Sequence, residues 1–313
     1  MDFVIGSGYK VQGTRCRVQG LKPNSSSSTN STPNTQHPTL YYYICIPMKT
    51  IISILTRFVP RRYLQVVSHF ILRLLSVFYI GNKKECTVCG RKFRKLLPYG
   101  RIVKRDNALC PNCLSLERHR QMWLFLKTGT DFFTAELKVL HVAPEYCFIK
   151  RFKALPNLDY TTGDIESPLA DVKMDIREIP FDDNTFDVVI CNHTLEHVKE
   201  DLQSMKEFYR VLKPGGWGIL NSPINEKRDV TYEDFSITDP AEREKHFGQR
   251  DHVREYGLDY TTRLAEAGFT VNTRDILADL SPEEVERYAL LHYDKQTAED
   301  LIYLVNREQR SKE

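Results

Sequence analysis

The stretch KVLHVAPEYCF, residues 138–148, decides the fold of this chain. Its first half is apolar apart from one histidine, which is typical of a buried strand, and its second half has the pattern of a helix. A strand that runs directly into a helix is the repeating unit of α/β proteins with a mainly parallel sheet. The turn between them contains no glycine, although nucleotide-binding turns of this kind usually contain several. The sequence predicts an open α/β sheet and leaves open how its first turn would hold a ligand.

The same alternation continues to the end of the chain. Two stretches are typical of amphipathic helices, KEDLQSMKEFYRVLK and LDYTTRLAEAG. The predicted strands are, in chain order, LKVLHVA, LDYTTGD, FDVVIC, WGILNSP, FTVNTRDI and DLIYLVN.

Composition places this sheet in an acidic domain that follows a basic module. The chain has 313 residues, of which 41% are hydrophobic and 27% charged, as in soluble globular proteins. The formal net charge of +3 conceals an asymmetry. Residues 48–127 contain 17 Lys and Arg against 3 Asp and Glu, whereas residues 128–313 contain 23 against 37.

The N-terminal part divides at Met48. Residues 1–47 are rich in Ser, Thr, Asn and Pro, and we interpret them as a disordered or misassigned extension before a second start. Residues 48–85 are predicted to form basic amphipathic helices that pack on the rest of the protein. An alternative is peripheral contact of residues 48–80 with an anionic membrane. No signal-peptide pattern is visible, so we expect a cytoplasmic protein, in the alternative at the inner face of the membrane.

Four cysteines form two C-x-x-C pairs with twenty residues between them. Each pair presents two thiolates from one tight turn, and two such turns enclose a tetrahedral zinc ion. The sequence therefore predicts a zinc-ribbon-like module over residues 86–128, with a helix at residues 116–127 after the second pair. Because protein thiolates fill all four positions, the zinc would be structural. The predicted ligands are Cys86, Cys89, Cys110 and Cys113.

Two further motifs carry a family resemblance. IPFDDNTFDVVICNHTLEHV and, after it, EFYRVLKPGGWGIL resemble the fourth strand, the next helix and the fifth strand of class I S-adenosylmethionine-dependent methyltransferases. The resemblance implies a Rossmann-like seven-stranded sheet over residues 129–313, with S-adenosylmethionine as cofactor. The family usually has V-L-D-x-G-x-G-x-G at its first strand, and this chain has VLHVAPEYC instead.

The resemblance also implies cofactor-binding residues. At the first turn, His141 or Glu145 would receive the cofactor's ammonium group, small Ala143 would permit close approach, and Pro144 would start the helix. A core role for His141 remains the alternative.

Later strand ends supply the other cofactor contacts. Asp164 is expected to accept hydrogen bonds from the ribose, with Glu166 in reserve, and Asp175 and Ile176 to hold the adenine. Only ten residues separate Asp164 from Asp175 in the sequence, which implies that the family's usual intervening helix is short or absent. Asn192 ends the fourth strand, where open α/β sheets bind ligands.

The acceptor site is predicted in HFGQRDHVREYG, residues 246–257. His246, Asp251 and His252 are the predicted groups for acceptor binding or proton removal, with Arg254 meeting an anionic group. His197 is a further candidate.

The predicted function is methyl transfer from S-adenosylmethionine to oxygen or nitrogen of a small or glycan-like acceptor. The sequence NHTL differs from the Asn-or-Asp-Pro-Pro-aromatic motif of nucleic-acid amine methylases. One alternative is an RNA methyltransferase whose basic zinc module holds phosphates, although the acidic main domain disfavours it. A non-catalytic scaffold is the other.

Overall fold

A computed structural model of the protein describes residues 72–100, 104–291 and 300–309. Its centre is a seven-stranded sheet with the order β12-β13-β9-β8-β5-β6-β7. The inner strands are parallel, whereas β13 runs antiparallel to both β9 and β12. The strands of this sheet are β5 (Leu137–Val142), β6 (Leu158–Asp164), β7 (Val172–Lys173), β8 (Phe186–Asn192), β9 (Leu212–Asn221), β12 (Thr270–Arg274) and β13 (Ile302–Asn306). The predicted Rossmann-like seven-stranded sheet is confirmed.

Helices cover both faces of the sheet and enclose two hydrophobic cores, one on each side. The central strands β5 and β8 are almost wholly buried, which explains their continuous apolar sequence. Among the described residues, none of the helices has the length and apolar content needed to cross a membrane. The helices are α1 (Glu117–Thr128), α2 (Tyr146–Phe152), α3 (Asp201–Val211), α4 (Pro240–Phe247), α5 (Tyr260–Glu266) and α6 (Pro282–Tyr288).

The cysteine-containing region is built from two short antiparallel ribbons. In the first, β1 (Ile80–Glu85) pairs with β2 (Lys92–Phe93), and in the second, β3 (Leu97–Tyr99) pairs with β4 (Arg105–Leu109). The assignment of residues 80–85 to a helical segment was therefore wrong, because these residues pair with the strand that follows the first cysteine turn. The rest of that segment up to residue 71, and the extension before it, lie outside the described residues.

This region shares a hydrophobic core with the main sheet. Cys86, Val88 and Phe93 belong to the same buried cluster as Val139 of β5 and Phe148 of α2. The boundary predicted at residue 128 is therefore a boundary in sequence only, since the helix that ends there packs against both parts.

Arg120 of α1 connects the cysteine-containing region to the C-terminal end of α6 through hydrogen bonds to backbone carbonyls. Its side chain is fully buried. One guanidinium nitrogen donates to the carbonyls of Ala108 and Ser115 at 2.9 Å each, both in the cysteine-containing region. The other nitrogens donate to the carbonyls of Tyr288, at 2.8 Å, and Ala289, at the end of α6. One cation thus satisfies four carbonyl groups from two parts of the chain.

We predict that Arg120→Leu lowers the free energy of unfolding by about 3–5 kcal/mol, because it leaves buried carbonyl groups unpaired. Urea denaturation followed by circular dichroism measures the change. Arg250→Leu is the matched control: Arg250 is about half exposed and pairs with Glu244 at the surface. We expect the control to change stability by less than about 0.5 kcal/mol. Equal losses in the two variants would show that Arg120 does not join the two parts.

Candidate active site

The carboxyl ends of the parallel strands meet around Glu145. His141, at 0% exposure in β5, lies with Nε2 2.8 Å from one carboxylate oxygen of Glu145. Asn192, at the end of β8, donates from Nδ2 to the other oxygen at 3.1 Å. The hydroxyl of Tyr160 in β6 lies 2.8 Å from Nδ1 of His141. Three strands therefore hold one carboxylate in place.

The charge on Glu145 is stabilised by these neighbours. Burial alone would raise the pKa of Glu145, but the hydrogen bond with His141 and the nearby imidazoles lower this pKa to about 2. Burial also raises the pKa of Tyr160 well above its ordinary value, so its phenol stays protonated. The site therefore contains a fixed, mostly buried negative charge, which suits a cationic ligand group.

The turn after β5 has a backbone conformation that glycine usually adopts, although the turn contains no glycine. Ala143 has φ of 47°, in the left-handed region that glycine adopts most readily. Its small side chain makes this conformation tolerable, at a cost of about 1–2 kcal/mol. Helix α2 begins at Tyr146 with Glu145 as its N-cap, so the prediction that Pro144 starts the helix was wrong. Pro144 lies one residue before the N-cap and is therefore outside the helix.

Helix α1 adds three residues to this site that the sequence patterns did not indicate. Arg118, His119 and Met122 line a small pocket with Glu145 and Asn192. Met122 lies with its sulfur 3.2 Å from Nδ2 of Asn192. No local motif marks these residues, because α1 reaches the sheet only through the packing of the cysteine-containing region.

Polar atoms without hydrogen-bond partners among the described residues face this pocket. They are Nε of Arg118, Nε2 of His119 and Oδ1 of Asn192, all buried. Nδ1 of His119 accepts from the backbone N–H of Leu116 at 3.0 Å, so Nε2 carries the proton of a neutral imidazole. Burial, together with Arg118, lowers the pKa of His119 to about 3. The pocket therefore offers two unpaired donors, one unpaired acceptor and a carboxylate.

Asp164 ends β6 beside this pocket. Its Oδ1 accepts the backbone N–H groups of Glu166 and Ser167 at 2.7 Å each, while Oδ2 has no partner within the described part of the chain. Glu166 is exposed. Residues 165–171 form only turns and bends before β7, which confirms that the usual intervening helix is absent.

The predicted adenine contacts lie just after β7. Ile176 is 6% exposed and belongs to one of the two hydrophobic cores. Both carboxylate oxygens of Asp175 accept from Arg177, at 2.7–3.1 Å, and this ion pair lowers the pKa of Asp175. An adenine amine would have to share this carboxylate with the guanidinium.

The four predicted cysteine ligands converge in one place. Their sulfur atoms lie 3.6 Å apart for Cys86 and Cys113 and 3.8 Å apart for Cys89 and Cys110. A tetrahedron of thiolates with bonds of about 2.3 Å to zinc has sulfur atoms about 3.8 Å apart. The two turns are alike, since Gly90 and Leu114 follow them with φ of 66° and 61°. The donor set and its spacing fit a structural zinc ion.

A second polar cluster lies after β8 and contains three of the predicted acceptor-site residues or their neighbours. Glu196, at 1% exposure, receives a hydrogen bond from Ser222 at 3.2 Å. Nδ1 of His252 lies 3.1 Å from the carbonyl of Phe247, and Nε2 lies 3.9 Å from Glu196. The structure thus brings His252 and His197, whose rings are 4.8 Å apart, to one buried carboxylate.

The other predicted acceptor residues are arranged differently. Asp251 is exposed and lies with Oδ2 3.6 Å from His197. His246 is exposed on α4, where Tyr232 is its nearest polar partner at 3.4 Å. Arg254 is buried, and its guanidinium donates to Glu233 and to the carbonyls of residues 195, 198 and 199. The prediction that Arg254 meets an anionic ligand was therefore wrong, because the protein itself uses this cation to fix the turn after β8.

Comparison with known proteins agrees with this architecture. A family model described as "Methyltransferase domain" matches residues 130–220. Demethylmenaquinone methyltransferase of Chlorobaculum tepidum is 35% identical over 89 residues, which are 28% of this chain and 32% of that protein. The ubiquinone/menaquinone biosynthesis C-methyltransferase UbiE of Idiomarina loihiensis is 35% identical over 69 residues, which are 21% and 28%. The chain thus spans about a third of the length of these curated relatives.

A crystal structure of an S-adenosylmethionine-dependent methyltransferase from Mesorhizobium loti has a TM-score of 0.42 and 12% identity, and the match covers 60% of this chain and 98% of that one. The family match covers the part of the chain that contains β5, β6, β7, β8 and most of β9.

Proposed function

We propose that this protein transfers a methyl group from S-adenosylmethionine to a small acceptor, and that the pocket around Glu145 holds the amino-acid end of the cofactor. The main support is the match between the unpaired groups of the pocket and an α-amino acid zwitterion. The donors Arg118 and His119 suit a carboxylate, whereas Glu145 and Oδ1 of Asn192 suit an ammonium group. A buried polar group without a partner is costly, so the cofactor would restore the missing hydrogen bonds.

The rest of the cofactor would extend along the carboxyl edge of the sheet. Asp164 would offer its Oδ2 to the ribose hydroxyls, and the adenine would lie near Ile176. The left-handed turn at Ala143 lets the backbone approach the ligand closely. The absence of the usual glycines is compatible with this role because S-adenosylmethionine has no pyrophosphate for the backbone to contact.

The acceptor would occupy the side of Glu196, His197 and His252. These groups, with Asp251 at the rim, are polar and favour an acceptor that presents a hydroxyl or amine, such as a small molecule or a glycan. His246 would meet only the outer part of such an acceptor. Since the sulfonium methyl is already electrophilic, the protein chiefly has to align the acceptor with it.

The decisive variant is Glu145→Gln, which keeps the size of the side chain and removes its charge. We predict that it weakens S-adenosylmethionine binding by roughly 10- to 100-fold in calorimetry, because a charge-assisted hydrogen bond to the ammonium is lost. Glu136→Gln, an exposed residue just before β5, is the control and should bind as the wild type does. Unchanged affinity in Glu145→Gln, with the fold intact by circular dichroism, would contradict this placement of the cofactor.

We further propose that the four cysteines hold a structural zinc ion, which keeps α1 against the sheet. The ion would fix the turns at residues 86–90 and 110–114, and the second turn leads directly into α1. Arg118 and His119 lie in the first turn of that helix. The zinc site would therefore support the cofactor pocket without contacting it.

Cys110→Ser is predicted to lose the bound zinc and also to weaken S-adenosylmethionine binding at least about 10-fold, since α1 loses its support. Metal content by mass spectrometry and calorimetry measure the two effects. Cys191→Ala changes a buried cysteine of β8 outside the cluster and should retain one zinc per chain. A Cys110→Ser protein with full zinc content would refute the site, and one without zinc but with unchanged affinity would refute the link to the pocket.

A further inference from the structure

Glu196, His197 and His252 form a compact cluster outside the four-cysteine site. One ligand atom from each residue lies within 4.8 Å of the others. Glu196 and His197 come from the short helical turn after β8, and His252 comes from the segment between α4 and β11 (Arg254–Glu255). The backbone joins the two segments, because the N–H of Val253 donates to the carbonyl of Glu196 at 2.9 Å.

Both imidazoles have Nδ1 close to a backbone carbonyl. Nδ1 of His252 lies 3.1 Å from the carbonyl of Phe247, and Nδ1 of His197 lies 3.3 Å from the carbonyl of Asp251. A carbonyl can only accept, so each Nδ1 carries the proton and each neutral ring leaves Nε2 as a lone pair. Histidines that bind metal ions are usually fixed by such a hydrogen bond from the opposite ring nitrogen.

The buried edge of His252 has no partner in the described part of the chain. Its ring is 4% exposed, and Nε2 is buried without a hydrogen bond. Oε1 of Glu196 lies 3.9 Å from this nitrogen, and it is itself an acceptor when the carboxylate is charged. Oε2 of Glu196 already accepts from Ser222. Two buried acceptors that face each other need a cation or a proton between them.

We infer that Glu196, His197 and His252 bind a divalent first-row transition metal ion. Two imidazole nitrogens and one carboxylate oxygen are a donor set that suits zinc or iron(II) and disfavours calcium and magnesium, which prefer oxygen ligands. Bonds of about 2.0–2.1 Å need ligand atoms about 3.4 Å apart in a tetrahedral site, so the side chains close in by roughly 1 Å on binding. Three protein ligands leave at least one coordination position open.

The cluster borders the pocket around Glu145 through His193. Nδ1 of His193, the residue that follows β8, lies 3.7 Å from Oε1 of Glu196. Asn192, beside it, belongs to the pocket around Glu145. The role of the metal ion rests on the proposed function. The ion would bind the oxygen of a hydroxyl-bearing acceptor and hold this oxygen beside the methyl group. The metal site itself does not depend on that function.

Cobalt(II) added to the protein as purified, with the four-cysteine site already filled, tests the inference. We expect the wild type to bind one cobalt ion per chain, with visible bands of a nitrogen- and oxygen-bound ion and without the intense near-ultraviolet band of cobalt thiolate. His252→Ala and the isosteric Glu196→Gln should each weaken this binding at least about 100-fold, since loss of a group that merely orients a ligand already costs 10- to 100-fold. If His252→Ala does not fold, Glu196→Gln alone provides the test of cobalt binding.

His246→Ala is the matched control, because it removes an exposed histidine of the same segment and should leave cobalt binding unchanged. A wild type that binds no cobalt at micromolar concentration would overturn the inference. So would equal binding by the wild type and Glu196→Gln. Each result concerns metal binding alone, so it is distinct from a failure to bind S-adenosylmethionine or to transfer a methyl group.

Discussion

The carboxylate of Glu145 is buried at the point where α1, β5, α2 and β8 meet. A buried charge is stable only when polar partners replace water, and here His141 and Asn192 supply them from two adjacent strands. The arrangement leaves the side facing α1 incompletely paired. His119 is 3.7 Å away, too far for a direct hydrogen bond. The site thus combines a fixed negative charge with unpaired donors, as a zwitterionic ligand requires.

This arrangement depends on a region far away in sequence. The cysteine turns, Arg120 and the shared core place α1 across the carboxyl edge of the sheet. Without that packing, Arg118 and His119 would have no fixed position relative to Glu145. The four-cysteine cluster and the pocket around Glu145 therefore form one structural unit, although no residue belongs to both.

Much of the fold could be predicted because it depends on local patterns. Buried strands such as β8 have apolar runs, and paired cysteines indicate a metal-binding turn wherever the chain goes next. The cluster of cysteines followed from their spacing, and the missing helix after Asp164 followed from spacing compared with the family that the chain resembles. Residues 80–85 were assigned wrongly because a two-stranded ribbon has too few residues to show a period.

The site was less predictable because its members meet only through tertiary structure. Asp175 and Arg254 had the residue types expected of ligand-binding groups, but each is engaged by the protein itself. Arg118 and His119 had no motif to mark them. The proximity of His252 to Glu196, rather than to its sequence neighbour Asp251, depends on how the segment after α4 folds back. Sequence adjacency does not determine which side chains face each other.

The most direct test compares the affinities of S-adenosylhomocysteine and 5′-methylthioadenosine, measured by calorimetry on the full-length protein. Both are thioethers of adenosine without the sulfonium charge, and only the first carries the zwitterionic amino-acid group. If Glu145, Asn192 and α1 grip that group, 5′-methylthioadenosine should bind at least about 100-fold more weakly, since several charge-assisted hydrogen bonds are missing. Equal affinities, or no binding of either compound, would contradict the account.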